Sequence, residues 1–174
     1  MPKNSAQIFT TTISSPMGEL QLFANERALL GLFMKNNDSY GVPKKFAAAQ
    51  KEKNKVLILA ETELKKYFKN QLSEFTVPIE LQGTDFQLSV WKELCLIRKG
   101  QLRSYVDHAK NISKPKAIRA VGAAIGKNPI SIIVPCHRVI GKNSSLTGYA
   151  GGLSAKEWLL KHEGFIIKGQ TLIK

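Results

Sequence analysis

The chain has 174 residues, 43% of them hydrophobic, and carries 26 Lys/Arg against 13 Asp/Glu, a formal charge of +13. That much apolar material can bury the core of one domain or two small ones, which excludes a disordered chain. The charge calls for an anionic partner, with nucleic acid ahead of an anionic membrane surface. The excess is uneven: fifteen Lys/Arg and five Asp/Glu lie from Thr84 onward, and between Arg98 and Lys127 eight basic residues face one acid, Asp107. Two cysteines, Cys95 and Cys136, are too few for a disulfide framework, and no CxxC or Cys/His cluster has zinc spacing. Met1-Pro2-Lys3-Asn4-Ser5 lacks an apolar signal region and no stretch is long enough to span a bilayer. A soluble cytoplasmic protein is expected.

The first third predicts strands. Residues 8–13 are β-branched and end at the turn cluster Ser15-Pro16-Met17-Gly18; residues 20–24 follow, then a break at Asn25-Glu26-Arg27 and a third run over 29–33. Three strands at short spacing predict an antiparallel meander. Residues 36–53 are polar and predict a loop. Residues 55–70 have helical periodicity in Val56, Leu59, Ala60, Glu63, Leu64 and Tyr67-Phe68. Residues 78–83 read as a linker with room for one short strand, which sets domains at 1–83 and 84–174.

The second region is helical. Thr84-Asp85-Phe86-Gln87 is a capping box, and the stripe Phe86, Val90, Leu94, Ile97 runs on to Gly100. Cys95 falls inside that pattern and is assigned to the core. A short helix starts near Ser104, and a third runs from Pro115 to about Lys127. Together they have helix-turn-helix spacing. At about 100° per residue, Ile118, Val121 and Ile125 share the inward side, and Lys116, Arg119, Ala120, Ala123 and Lys127 the outward side. Small residues between cations let a helix lie close to a groove while the charges meet phosphates. Arg119, long among alanines, suits either a phosphate or a wedge in the base stack. Ser154-Ala155-Lys156-Glu157 reads as another capping box, and Gly164 closes that helix.

The chemistry centres on Ile132-Ile133-Val134-Pro135-Cys136-His137-Arg138-Val139, an apolar strand-like run that ends in a thiol beside an imidazole and a guanidinium. Cationic neighbours bias a cysteine toward thiolate, the nucleophilic form. Adjacent strand residues point to opposite faces, so a Cys136–His137 contact needs a turn at Pro135 or a relaying water. Glu163 is a candidate to orient His137, or else a helix-end charge. Asn128-Pro129 ends the third helix. Residues 147–153 form a glycine-rich loop without P-loop spacing, and Tyr149 between its glycines suits the wall of a pocket for a flat ring.

Residues 100–164 resemble the O6-alkylguanine-DNA alkyltransferases. The resemblance rests on Ser104-Tyr105, Lys116-Ala117-Ile118-Arg119-Ala120-Val121-Gly122, Gly126-Lys127-Asn128-Pro129, Pro135-Cys136-His137-Arg138-Val139, Gly148-Tyr149-Ala150-Gly151-Gly152 and Glu157-Trp158-Leu159-Leu160-Lys161-His162-Glu163-Gly164. It implies an RNase H-like α/β N-terminal domain, a three-stranded antiparallel sheet plus helices. A mainly α C-terminal domain with a winged-helix-like helix-turn-helix follows. It also implies irreversible, single-turnover repair of O6-alkylguanine in double-stranded DNA, with O4-alkylthymine as a second candidate lesion.

In that scheme Cys136 accepts the alkyl group, His137 takes the thiol proton through a water, Glu163 orients His137 and Tyr105 donates toward the purine N3. Asn128 supports the active-site turn. Lys116, Ala117, Arg119, Ala120, Gly122, Ala123 and Lys127 meet the minor groove, with Arg119 in the space of the flipped nucleotide. The Val139 carbonyl, Tyr149, Ala150 and Gly151 line the guanine pocket. No cofactor is implied and a monomer is expected. The first 83 residues contain neither Cys nor His, so the N-terminal zinc of some relatives is not expected; position 150 is alanine where some relatives have serine. A lesion sensor, a cysteine hydrolase and a helix-turn-helix regulator are the competing classes. Sensors of the alkyltransferase-like kind lack the cysteine.

Overall fold

The computed structural model describes residues 7–35 and 41–173, in two compact units that divide between Glu80 and Leu81. Residues 1–5 and residues 36–40 of the expected loop lie outside the described residues.

In the first unit β1 (Phe9–Ser15), β2 (Gly18–Ala24) and β3 (Leu29–Met34) form an antiparallel sheet in chain order. The turn residues act through their side chains. Ser15 Oγ donates to the Gly18 carbonyl and accepts from Met17 N–H, and Asn25 Oδ1 accepts from Arg27 and Ala28 N–H. The register sets Leu22 opposite Leu32, so Leu20, Leu22 and Leu32 share a face and are fully buried. The other face carries Phe23, which stacks at 4.3 Å on Phe46 from a short 3₁₀ turn (Lys44–Phe46) inside the expected loop. A Cβ on Gly31 would lie 2.6 Å from the Phe33 ring, so only glycine lets these aromatics close on β3.

Helix α1 (Lys55–Phe68) packs against the sheet, capped by Asn54, whose Oδ1 accepts from Leu57 N–H. It ends two residues short of the expected limit, and Leu59, which the periodicity put inside, is exposed. Leu57, two residues earlier and on the other side of the helix, is buried instead. The expected linker strand is a single bridge, Ile79 parallel to Leu29.

In the second unit α2 (Asp85–Leu94) carries the reciprocal capping box of Thr84 and Gln87. The helix stops at Leu94, so Ile97 is buried from the following turn. Cys95 is exposed, not in the core: it caps the helix, and its thiol donates to the Trp91 carbonyl. A short strand β4 (Arg103–Ser104) leads into α3 (Tyr105–Asn111), capped by Ser104, and α4 (Ile118–Gly126) follows. Helix α4 starts three residues later than expected, because the chain closes a turn from Ala117 N–H to the Lys114 carbonyl. Val121 and Ile125 point inward as expected. Ile118 does not; heading the helix, it is 37% exposed.

Strand β5 (Val139–Ile140) pairs in parallel with β4. Helix α5 (Leu153–His162) starts from Gly152 at φ 86, with no side-chain cap, so the expected Ser154 capping box does not form. A hairpin of β6 (Ile167–Lys168) and β7 (Thr171–Leu172), absent from the sequence reading, buries Ile167 with Ile140, Leu146 and Leu160.

Glu63 sits on the apolar side of α1, and its carboxylate accepts from Val77 N–H, Thr76 N–H and the Thr76 hydroxyl. It ties the segment after the helix back onto it. Glu63→Ala strands the buried Val77 donor and is expected to cost about 1–3 kcal/mol, read as a lower urea midpoint. An unchanged midpoint would show that the tie contributes nothing.

Candidate functional site

The site grows from the chain between α4 and β5. Asn128 follows the end of α4; its Oδ1 accepts from Ile130 N–H at 3.0 Å, which turns its amide NH₂ toward the Val134 carbonyl (2.8 Å) and the Cys136 sulfur (3.1 Å). The apolar run 132–134, expected as a strand, is instead a pair of tight turns. Ile133 N–H reaches back to the Ser131 carbonyl with Ile132 at φ 72, and Cys136 N–H reaches the Val134 carbonyl around Pro135 at φ −82, ψ 62. The second is an inverse γ-turn. The first holds a buried β-branched residue in the left-handed region, a strained conformation of the kind that persists where the surroundings over-determine it.

A 3₁₀ turn (Cys136–Arg138) follows, and Cys136, His137 and Arg138 are all buried. His137 Nε2 lies 2.9 Å from Glu163 Oε1, and its Nδ1 is buried with no hydrogen-bond partner in the protein. Arg138 grips the same carboxylate at both oxygens, Nε on Oε2 at 2.9 Å and Nη2 on Oε1 at 2.8 Å, and its Nη1 donates to the Ile97 carbonyl. Glu163, the C-cap of α5, has a fully buried side chain.

Burial alone would raise the Glu163 pKa, but hydrogen bonds from His137 and Arg138 and the charge of Arg138 outweigh it and hold the carboxyl well below the usual range. Burial lowers the His137 pKa more than Glu163 raises it, so the imidazole is neutral. Burial also raises the Cys136 pKa, against the Asn128 hydrogen bond and the charge of Lys156. The expectation that flanking cations bias the thiol toward thiolate is therefore corrected: the Arg138 charge is spent on Glu163, and dehydration dominates at the sulfur. The thiol needs a base, and the neutral His137 is adjacent.

The remaining expected residues fall into two groups. Tyr105, the first residue of α3, donates from its hydroxyl to the Thr147 carbonyl at 3.1 Å, at the start of the half-buried loop that holds Tyr149, Ala150 and Gly151. Burial raises its pKa, so it is a protonated donor at neutral pH. Lys116, Arg119, Ala120, Ala123 and Lys127 are exposed along α4 and its approaches, while Ala117 and Gly122 are half-buried. The Tyr105 ring lies 3.8 Å from where a Gly122 Cβ would stand, so the exposed helix and the loop meet at Tyr105. Among the described residues no three His, Cys, Asp or Glu side chains gather as metal ligands, and no helix is long and apolar enough to cross a membrane.

Two residues have roles that the sequence pattern does not show. Arg138, a cationic neighbour of the thiol in sequence, binds Glu163 instead. Lys156, expected within a capping box, is fully buried; its Nζ donates to the Val139 carbonyl at 2.5 Å and the Thr147 carbonyl at 2.9 Å. Its spacing from Leu159, Leu160 and Glu163 puts it on the inner face of α5, a signal present in the sequence.

Comparison with known proteins agrees with this geometry. Residues 85–165 match the family model described as 6-O-methylguanine DNA methyltransferase, DNA binding domain, and residues 8–81 its ribonuclease-like domain. A methylated-DNA--protein-cysteine methyltransferase of Methanosarcina barkeri is 46% identical over 87% of this chain and 94% of its own. The constitutive enzyme of that name from Bacillus subtilis is 40% identical over 89% and 94%. The crystal structure of Mycobacterium tuberculosis O6-methylguanine methyltransferase superposes with a TM-score of 0.82 at 42% identity, covering 90% of this chain and 93% of that one. The same organism's OGT in complex with DNA gives 0.82 at 43%, covering 89% and 92%. The fold and the buried cysteine network define a protein that transfers a group to its own thiol. The chain belongs to the methylated-DNA--protein-cysteine methyltransferase family.

The Glu163 carboxyl is held below its unfolded pKa of about 4.3, so its contribution to stability is present above that value and lost as pH falls through the folded one. Glu163→Gln is expected to remove that part of the acid slope. It should also cost about 3–5 kcal/mol at neutral pH, because Arg138 stays buried without a counter-charge. Urea unfolding across pH reads both effects, and a variant as stable as the parent at neutral pH would contradict the clamp.

Proposed function

We propose that this protein repairs O6-alkylguanine in double-stranded DNA by moving the alkyl group to Cys136, once per molecule. The observation that carries the reading is the buried chain of contacts from Asn128 to the Cys136 sulfur and from His137 to Glu163 and Arg138. DNA approaches the exposed face of α4. Ala120 and Ala123 allow close contact in the minor groove while Lys116 and Lys127 meet phosphates, with Ala117 and Gly122 behind them. Extruding a base costs a few kcal/mol, and Arg119 fills the space it leaves.

The extruded guanine sits against the loop of Tyr149, Ala150 and Gly151 and the Val139 backbone. His137 Nδ1 takes the thiol proton through a bridging water, and Asn128 donates to the resulting thiolate. The S–C bond forms as the C–O6 bond breaks, and the electron pair goes to the purine, which gains a proton at N3 through Tyr105. In net terms the thiol proton ends on guanine. No group in the site is arranged to cleave the thioether, so turnover stops at one. O4-alkylthymine presents the same leaving-group chemistry and is a second candidate substrate. Residues 84–174 carry DNA binding and alkyl acceptance, and residues 1–83 form the ribonuclease-like domain. The protein works as a monomer in a reducing compartment, the cytoplasm, where a free thiol survives.

The test is mass spectrometry after mixing equimolar protein with duplex DNA that carries one O6-methylguanine. The expected result is a single methyl on the Cys136 peptide with restored guanine; Cys136→Ser gives none, and Cys95→Ser transfers fully. Methyl on another residue, or more than one guanine restored per protein, would overturn the reading. Arg119→Ala is expected to slow transfer from the duplex about tenfold or more, with a smaller loss on an already unpaired lesion.

A further inference from the structure

Lys156 is fully buried, yet among the described residues it has no carboxylate partner. Two carbonyl oxygens, of Val139 and Thr147, are the acceptors of its ammonium. Carbonyl dipoles soften a buried charge without cancelling it, and a cation left so is costly. The placement of those carbonyls is informative. Val139 follows the Cys136–Arg138 turn directly, and the Thr147 oxygen also receives the Tyr105 hydroxyl, with Nζ 6.0 Å from the Tyr105 ring centre. The ionisable groups facing Lys156 are Cys136 and His137 on the turn and Tyr105 on α3. Beyond them, Arg138 and Glu163 compensate each other. Of the facing groups His137 gains only positive charge, and Tyr105 keeps its proton because burial raises its pKa. The anion missing beside Lys156 is the Cys136 thiolate, which exists only during the reaction.

We propose that Lys156 is a positioning residue for alkyl transfer: its ammonium is the built-in counter-charge of the Cys136 thiolate and pins the Val139 and Thr147 carbonyls beside it. The proposal rests on Cys136 being the nucleophile. A dehydrated thiolate held by the Asn128 amide and the Cys136 and His137 backbone N–H groups has only dipoles around it, whereas Lys156 adds a full charge. When the S–C bond forms and the C–O6 bond breaks, the negative charge leaves sulfur for the purine, and the sulfur becomes a neutral thioether. Because Thr147 anchors both Lys156 and Tyr105, the hydroxyl can turn to the purine while Lys156 keeps the loop in place. Burial lowers the Lys156 pKa to about 8, with the thiolate pulling it back up. The cation is thus present at neutral pH and is lost as pH rises through that value.

The test uses the full chain with Cys95→Ser, so that one thiol remains. Single-turnover methyl transfer is followed against pH, alongside alkylation of Cys136 by iodoacetamide without DNA at neutral pH, where the parent lysine is charged. In Lys156→Met both reactions at neutral pH are expected to be slower by about tenfold or more. Lys156→Arg, which keeps the charge, holds both rates near those of the parent. In the parent the transfer rate falls above about pH 8, and in Lys156→Met that fall disappears. A folded Lys156→Met protein alkylated by iodoacetamide as fast as the parent would overturn the proposal, as would one that transfers slowly but keeps the parent's fall above pH 8, since a merely structural lysine moves the rate and not its pH profile. So would a parent rate that keeps rising well past pH 8, a measurement that stands even where the Met variant does not fold. A slowed iodoacetamide reaction with no transfer from DNA in the parent would support the counter-charge and defeat the repair reading instead.

Discussion

One buried carboxylate holds the site together. Glu163, at the end of α5, is shared between His137 and Arg138, and Arg138 continues to the Ile97 carbonyl just past α2. The turn that carries Cys136 is thereby clamped between the ends of two helices. The pairing also sets the chemistry. An unshared carboxylate would draw a proton onto His137; with Arg138 on both of its oxygens, burial decides and the imidazole stays neutral. A buried ion pair is weak evidence for stability, since desolvation offsets much of its attraction. Its value here is positional: it fixes which nitrogen of His137 faces Glu163 and which is left to receive a proton.

The path into that clamp is strained. Ile132 occupies a backbone region β-branched residues avoid, at an order of 1–3 kcal/mol, and Asn128 stitches the segment closed through Ile130, Val134 and the sulfur. Regular strand geometry would send Cys136 and His137 to opposite faces. The tight turns and the 3₁₀ turn bury both near one another instead. Strain in so short a segment persists because these hydrogen bonds over-determine it.

How much was legible follows from the range of each interaction. The Thr84 capping box, the Ser104 cap and the three strands involve residues a few positions apart, and the sequence pattern found them. The outward face of α4 was also readable; for Glu163 the residues left a helix-end charge and a partner of His137 both open, the family resemblance implied the second, and the structure pairs the two. The run before Cys136 was misread because three apolar residues look alike as a strand or as a turn, and hydrophobic period carries no information about the sign of φ. Ser154 lost its cap to Gly152, whose positive φ starts α5 earlier. The burial of Lys156 and Arg138 was not legible for one reason: a basic residue in a basic protein reads as surface, and only packing shows that these two are buried.

In the proposed mechanism Glu163 and Arg138 together hold His137 as a neutral base for a protonated thiol, and imidazole nitrogen NMR of His137 at neutral pH reads that state. A single neutral tautomer is expected, with the proton on Nε2 toward Glu163 and a bare Nδ1. A doubly protonated ring, or a proton resident on Nδ1, would refute it, because neither form can accept the proton of Cys136.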